Sequence, residues 1–222
     1  MAIDKSRTSV GVKVVLVLVA LAMVSYLVPT LFGLFGSTGS TTDGTASTSS
    51  DVLGQIAQKY TATVAAFDAA LQSEPTSYTV LVNQGNTYFD WGMDVVQAAS
   101  TNQALAGSEQ PMWLSARQYY ERALAIQQEP AVSVDLSIAY FYSGETTKAV
   151  VLASSVTTSQ PDFAPAWFNL GVFYASQGNN AGAIEAFEKT LALDPNGQST
   201  NKDYATQQLA ALKGSSPTTT SP

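Results

Sequence analysis

The sequence contains no cysteine and no histidine, and charged residues make up only 12% of its 222 residues. Without cysteine the chain cannot form a disulfide, a thiol nucleophile or a thiolate metal site. Without histidine it has no Ser-His-Asp triad and no histidine-ligated zinc. The composition therefore predicts a protein that is not an enzyme and holds no metal and no cofactor.

Basic residues are also few, with 10 Lys and Arg against 17 Asp and Glu, which gives a formal net charge of −7. Binding to the phosphates of nucleic acid requires clustered cations, so nucleic acid is excluded as a partner. After residue 36 there are 7 basic and 16 acidic residues, a net charge of −9. We interpret this excess as ordinary solubility charge that also keeps the region away from anionic lipid headgroups.

The amino-terminal part contains a long apolar run, residues 14–35, with no charged residue. As a helix it would span about 33 Å, enough to cross a bilayer. A buried core helix would show a polar stripe, and a cleaved signal peptide has a shorter apolar core, so we favour an uncleaved transmembrane helix. Lys5, Arg7 and Lys13 precede the run, which predicts a cytoplasmic amino terminus at 1–13. The expected location is a single-pass position in the plasma membrane, with everything after residue 36 extracytoplasmic.

Two segments have compositions typical of flexible chain. Residues 36–50 are rich in Gly, Ser and Thr and predict a flexible linker. Residues 215–222 read SSPTTTSP and predict a disordered tail. The folded domain is therefore expected over 51–214.

Within this domain, a set of residues recurs at an offset of 34. Leu136, Tyr140, Gly144, Ala149 and Pro161 are followed by Leu170, Tyr174, Gly178, Ala183 and Pro195. A period of this length indicates stacked helical hairpins. The second segment also carries Trp167, Gly171 and Phe187 at their characteristic spacings, and in these residues it resembles the tetratricopeptide repeat family. The best repeats are 130–163 and 164–197.

Other parts of the domain match the pattern less completely. Gly85 and Tyr88, with Gly92, repeat the spacing of a first helix. The partner helix comes 18 residues late, so an insert of extended helix plus loop is expected at about 93–110. A capping helix is expected at 200–213. Ser137 replaces the glycine, and Ala153 the aromatic, of the best repeat, so we expect looser packing there.

The resemblance implies an all-α fold. It would be a right-handed α-solenoid of about three hairpins with flanking helices, preceded by one transmembrane helix. It also implies that the first helices of successive hairpins line a groove that holds an extended peptide or a partner helix. Counted by helical spacing, the candidate groove residues are Val82, Asn86, Phe89, Asp135, Ile138, Phe141, Tyr142, Phe168, Asn169 and Val172, with Asp90 and Ala175 beside them. The alternative is that several of the aromatic residues belong to the core between repeats.

The groove residues include no cation, because the expected first helices, about 78–91, 131–143 and 164–177, contain no Lys or Arg. Some family members clamp a peptide carboxylate with Lys, Arg and Asn, but Asn86 and Asn169 alone would not compensate for the desolvation of that carboxylate. The expected partner is another protein, with an apolar or mildly basic segment. Two catalytic arrangements are conceivable and neither is favoured. Glu185 and Glu188 share a helix face but, beside Lys189, are typical of a solvated surface, and nothing local in the sequence supports a Ser-Lys dyad of Lys148 with Ser143 or Ser154.

We weigh four hypotheses for the function. The first is a membrane-anchored scaffold or adaptor for protein–protein interaction on the extracytoplasmic side, a layout common in bacteria. The second is a chaperone-like assembly factor that holds apolar segments of exported proteins. An enzyme or enzyme subunit is disfavoured by the missing His and Cys. Self-association through the 93–110 insert remains open.

Overall fold

A computed structural model of the chain describes residues 49–214, which form eight α-helices and contain no strand. The expected all-α fold is confirmed for this part of the chain. The helices are α1 (Ser49–Ser73), α2 (Tyr78–Thr101), α3 (Gln110–Ile126), α4 (Pro130–Tyr142), α5 (Thr146–Ser159), α6 (Ala164–Ser176), α7 (Asn180–Leu193) and α8 (Lys202–Gly214).

The helices pack as consecutive hairpins, with α2 against α3, α4 against α5 and α6 against α7. Helix α1 packs on α2, α8 packs on α7, and the first helices α4 and α6 also contact each other. One continuous core of buried apolar side chains runs from Phe89 in α2 to Ala205 in α8. Each hairpin buries its apolar faces against its neighbours, which is the basis of solenoid stability.

Several predictions concern residues outside the described part of the chain. These are the cytoplasmic segment 1–13, the transmembrane helix 14–35, most of the linker 36–50 and the tail 215–222. The last two linker residues, Ser49 and Ser50, are already helical, and Asp51 in the first turn favours a helix there through the helix dipole. Among the helices of residues 49–214, none has the length and hydropathy needed to cross a membrane.

Glycine caps end the first helices of the two best repeats. Gly144 and Gly178 have φ of +82° and +74°, a left-handed conformation that glycine adopts without strain. After each, the next N–H donates to a carbonyl five residues earlier, Glu145 to Tyr140 and Asn179 to Tyr174, both at 2.9 Å. This bonding is the Schellman motif, and it fixes the tight turn into the second helix.

The two helices of a hairpin cross where a small residue of one faces a side chain of the other. A Cβ added at Gly171 would lie 2.9 Å from the ring of Phe187, and one at Gly85 would lie 2.6 Å from the ring of Tyr120. In the middle hairpin the equivalent residues are Ser137 and Ala153, and both are fully buried. Water is therefore excluded from both positions of this crossing, and looser packing there stays a prediction.

The insert predicted at 93–110 consists mainly of additional helix. Helix α2 continues to Thr101, and a short 3₁₀ helix, Gln103–Leu105, packs back on α2 with Leu105 fully buried. Gly107, with φ of +88°, turns the chain into α3. Gln110 then donates to the backbone oxygen of Tyr142 at 3.1 Å, which ties the insert to the end of α4.

The turn between α7 and α8 is organised by the carboxylate of Asp194, the C-cap residue that follows α7. The carboxylate accepts hydrogen bonds from the backbone N–H groups of Gln198, Ser199 and Thr200 at 2.7–2.8 Å. The hydroxyls of Ser199 and Thr200 donate to it as well. Burial alone would raise the pKa of Asp194, but these donors hold it below its ordinary value.

Replacing Asp194 by alanine is expected to lower the free energy of unfolding by about 1.5–3 kcal/mol, because a charged acceptor of several hydrogen bonds is lost. Since the folded-state pKa is depressed, the contribution is present above the unfolded pKa and is lost as pH falls through the folded value. Urea denaturation at pH 7 and pH 3 measures both effects. Asp162→Ala, at an exposed turn, is the control. Equal losses for the two variants at pH 7 would contradict this role for Asp194.

Candidate protein-binding groove

The inner face is defined here as the side of α2, α4 and α6 that carries the predicted groove residues. Successive first helices place equivalent residues on it, because Asp135 and Asn169 differ by one period of 34, as do Ile138 and Val172. On α4, Asp135, Ile138 and Tyr142 share one side of the helix at spacings of three, four and seven. The inner face is thus built from a repeated position in each hairpin.

Half of the predicted groove residues are buried. Phe89, Ile138, Phe168, Asn169 and Val172 are each at most 4% exposed. Phe168 lies against Phe187 and Tyr204 with ring centroids 6.1 and 5.9 Å apart, and Phe89 meets Trp113 edge-on at 5.4 Å. These five residues therefore belong to the hydrophobic core and not to the groove, and they offer little surface to a partner.

The other five predicted groove residues retain some exposure. Val82, Asn86, Asp135, Phe141 and Tyr142 are partly exposed, and Asp90 beside them is exposed. The ring of Phe141 stacks on Phe173 of α6 at 4.9 Å, so it serves mainly the contact between hairpins. The surface available to a partner is consequently smaller and more polar than the sequence predicted.

A buried tyrosine of α3 contacts a residue of the inner face through a hydrogen bond. Tyr120 of α3 is 1% exposed, and its hydroxyl donates to Oδ1 of Asn86 at 2.8 Å. The ring reaches this position because Gly85 leaves the space that a side chain would fill. The family spacing located Gly85, but the sequence offered no signal for the bond between Tyr120 and Asn86.

Two carboxylates of the inner face, Asp90 of α2 and Asp135 of α4, interact electrostatically. Burial, and secondly the negative charge of Asp90, raise the pKa of Asp135 to about 7. Asp135 also contributes to the raised pKa values of Tyr78 in α2 and Tyr120 in α3, in both cases after burial as the larger cause. The carboxylate of Asp135 therefore lies among groups that disfavour its charge.

Tyr142 occupies the far end of α4 on the same face. Its ring stacks on the fully buried Trp113 of α3, with centroids 4.7 Å apart. The hydroxyl oxygen is buried and has no hydrogen-bond partner within residues 49–214. Burial, and then the nearby Tyr204 of α8, raise the pKa of Tyr142 well above its ordinary value, so the phenol is neutral.

The ion-paired cations of the described domain belong to helices other than α2, α4 and α6. Arg117 forms ion pairs with Glu145 and Glu121, and Lys148 also pairs with Glu145. Both cations lie over the ring of Tyr140, whose hydroxyl donates to Glu121 at 2.7 Å. Lys148 is thus engaged in an ion-pair cluster at the junction of α3, α4 and α5. The absence of Lys and Arg from α2, α4 and α6 leaves no cations on these helices for a carboxylate clamp.

A row of stacked aromatic rings, which the sequence did not predict, connects the first three helices. Tyr60, Trp91, Tyr88 and Tyr119 stack in that order, with centroids 5.6–6.0 Å apart and planes within 9° of parallel. We call these four residues the aromatic ladder. The spacing of Tyr88 and Trp91 puts them on one side of α2, but their partners on α1 and α3 depend on helix packing that no local pattern reveals.

Helices α6 and α7 form a hairpin with a capped first helix, a glycine–aromatic crossing and a proline after the second helix. One family model matches the sequence of this hairpin. Residues 164–196 fit the family model of the tetratricopeptide repeat. This hairpin is therefore similar to a tetratricopeptide repeat. No curated protein sequence matches the chain significantly.

Two solved structures share the fold of the described helices. Two crystal structures of MamA are each 20% identical and cover 74% of this chain. They give TM-scores of 0.56 and 0.51 and are covered over 78% and 94% of their own length. The tetratricopeptide domain of Sgt2 from Aspergillus fumigatus is 24% identical over 62% of this chain and 77% of its own, with a TM-score of 0.46. The two MamA structures support a solenoid-like arrangement of the helices, and they carry no information about a ligand.

Metal binding has no structural support in the described residues. No group of three or more carboxylates there is arranged to hold an ion. Glu185 is exposed on α7, and its neighbour Glu188 pairs with Lys213 of α8 at 2.7 Å.

Proposed function

We propose that this protein is a membrane-anchored tetratricopeptide scaffold that binds another protein on the extracytoplasmic side of the membrane. The observation that carries the proposal is the inner face, where α2, α4 and α6 present partly exposed apolar, amide and carboxylate groups side by side. The apolar run at 14–35 and the basic residues before it support the anchor and its orientation. Tethering would raise the effective concentration of the domain near membrane partners, so a weak groove suffices.

The burial pattern favours a scaffold over a chaperone-like factor. A holding surface for many unfolded chains needs a broad apolar patch. Here the large apolar side chains Phe89, Ile138, Phe168 and Val172 are withdrawn into the core. What remains is a narrow surface of mixed polarity, which suits one partner of defined sequence.

Site-specific photocrosslinking in intact membranes tests the groove. A photoreactive residue at Val82 or Tyr142, both partly exposed on the inner face, is expected to capture the same partner. The control position is Val151, which is 65% exposed on α5. A partner captured equally well from Val151, or one whose capture survives deletion of the inner helices, would contradict groove binding.

The topology can be tested separately, because the natural sequence has no cysteine. Single-cysteine variants at the exposed Ser155 and at Ser6 place one thiol on each predicted side of the membrane. A membrane-impermeant maleimide added to intact cells is expected to label the Ser155→Cys variant and not Ser6→Cys. The reverse result would reject the extracytoplasmic location while leaving groove binding intact.

A further inference from the structure

A buried hydroxyl fixes the orientation of one amide on the inner face. Tyr120 of α3 is 1% exposed, and its O–H requires an acceptor because a buried donor without a partner costs free energy. Within residues 49–214 it donates only to Oδ1 of Asn86, at 2.8 Å. The reverse orientation of the amide would place Nδ2 against the phenol and leave the hydroxyl hydrogen unpaired. The amide of Asn86 is therefore held with its oxygen toward Tyr120.

The ring of Tyr120 has little freedom to leave this contact. Gly85 precedes Asn86 and leaves the space that the ring fills, because a Cβ at Gly85 would lie 2.6 Å from the ring. Helices α2 and α3, which carry the two partners, pack against each other as one hairpin. The hydrogen bond thus joins two side chains whose helices are already held together.

The nitrogen of the same amide faces away from the core. Nδ2 of Asn86 makes no hydrogen bond within residues 49–214, and it is accessible to solvent. Val82 and Asp90 stand four residues before and after Asn86, so the three residues share one side of α2. This side belongs to the inner face, which therefore presents an oriented N–H donor to a bound segment.

The composition of the inner helices favours a neutral acceptor for this donor. None of α2, α4 and α6 contains Lys or Arg. A carboxylate bound there would lose its hydration without a positive charge to replace it. A carbonyl oxygen carries no net charge, so a single N–H donor can compensate for its desolvation. Carbonyls inside a helix already accept hydrogen bonds from their own chain, whereas those of an extended segment are free to accept one from Asn86.

We propose that Tyr120 is a positioning residue, which turns the N–H of Asn86 toward a main-chain carbonyl of an extended segment of the partner. This inference rests on the proposed function and specifies how the inner face holds its ligand. Tyr120 touches no partner, because it is buried, and it acts only through Asn86. The partly exposed Val82 favours an apolar side chain next to the bound carbonyl.

Peptides that lack single carbonyl oxygens test the acceptor. The probe is a peptide from a random displayed library, selected against the full-length protein in detergent and captured by a photoreactive residue at Val82. Each peptide bond is replaced in turn by an alkene, which removes the carbonyl oxygen and the N–H, and by an ester, which removes the N–H alone. At one bond the alkene is expected to bind about threefold to tenfold more weakly than the ester, as the loss of one hydrogen bond would give. The Asn86→Ala variant should bind the two within about twofold of each other.

Tyr120→Phe separates positioning from a structural role. The variant keeps the ring that fills the space at Gly85 and removes only the hydroxyl, so circular dichroism is expected to show a folded domain. The ratio between ester and alkene should fall to within about twofold, because the amide is no longer held in one orientation. Tyr119→Phe removes the neighbouring hydroxyl, which donates to Asp68 at 3.3 Å, and should keep the wild-type ratio. A merely structural role of Tyr120 would weaken both peptides equally and leave the ratio unchanged.

The outcomes distinguish this inference from the proposed function. A wild-type ratio near one at every peptide bond, or a probe peptide bound as a helix by nuclear magnetic resonance, would overturn the inference and leave groove binding standing. A ratio that is lost with Asn86→Ala but kept with Tyr120→Phe would overturn the role of Tyr120. If no peptide were captured from Val82, groove binding and the inference would both be rejected.

Discussion

Replacing Phe187 by alanine is expected to lower the free energy of unfolding by about 3–5 kcal/mol, the range for deletion of a buried aromatic side chain. Phe187 is fully buried and lies where three helices meet. Its ring fills the space above Gly171 of α6 and lies 6.3 Å from the ring of Tyr204 in α8. The variant should therefore loosen the end of the solenoid as well as the hairpin that contains it. Urea denaturation followed by circular dichroism measures the loss.

Two further substitutions control this prediction. Phe187→Leu keeps much of the buried volume and should cost distinctly less than alanine. Val151→Ala, at a position 65% exposed, should change the free energy of unfolding by less than about 0.5 kcal/mol. A Phe187→Ala variant as stable as Val151→Ala would show that the ring does not hold the three helices together.

Replacing Gly85 by alanine is expected to destabilise the domain by about 1–3 kcal/mol, the usual cost of overpacking a core. The added Cβ would lie 2.6 Å from the ring of Tyr120. The ring has little room to move, since Tyr120 is 1% exposed and its hydroxyl is bonded to Asn86. We also expect the variant to weaken binding of the partner, because displacement of Tyr120 disturbs Asn86 on the inner face.

Gly54→Ala is the matched control for this glycine. Gly54 lies within α1, is exposed, and an added Cβ would have no atom within 4 Å. Alanine should therefore stabilise the helix by roughly 0.5–1 kcal/mol, the difference in backbone entropy between the two residues. Opposite signs for the two glycine variants would confirm that Gly85 is required for close packing. A Gly85→Ala variant that is also stabilised would contradict it.

The family pattern predicted the features that depend on local sequence. The left-handed cap at Gly178, the close approach at Gly171 and the helix end before Pro195 all follow from residues a few positions apart. Such features are fixed by backbone conformation or by contacts within one hairpin. For that reason a single well-matched repeat was enough to establish the all-α fold.

The inner face was harder to predict because burial depends on neighbouring hairpins. Helical spacing placed Phe168 and Val172 on the groove side, but packing between hairpins buries them almost completely. To predict the raised pKa of Asp135, one must know that the residue is buried and that Asp90 of α2 lies near it, and the sequence of α4 shows neither.

The aromatic ladder gives a spectroscopic signal for the packing of α1 on α2, because it contains Tyr60 of α1 and needs no added label. Trp91 is the indole within it, stacked on Tyr60 from α1 and on Tyr88 from its own helix. Closely aligned chromophores interact in their electronic transitions, so the near-ultraviolet circular dichroism of this stack differs from that of isolated rings. Detachment of α1 would remove the contact between Tyr60 and Trp91 and leave the ring contacts of the buried Trp113 unchanged. The same signal therefore reports whether α1 stays docked on α2 while a candidate partner is added.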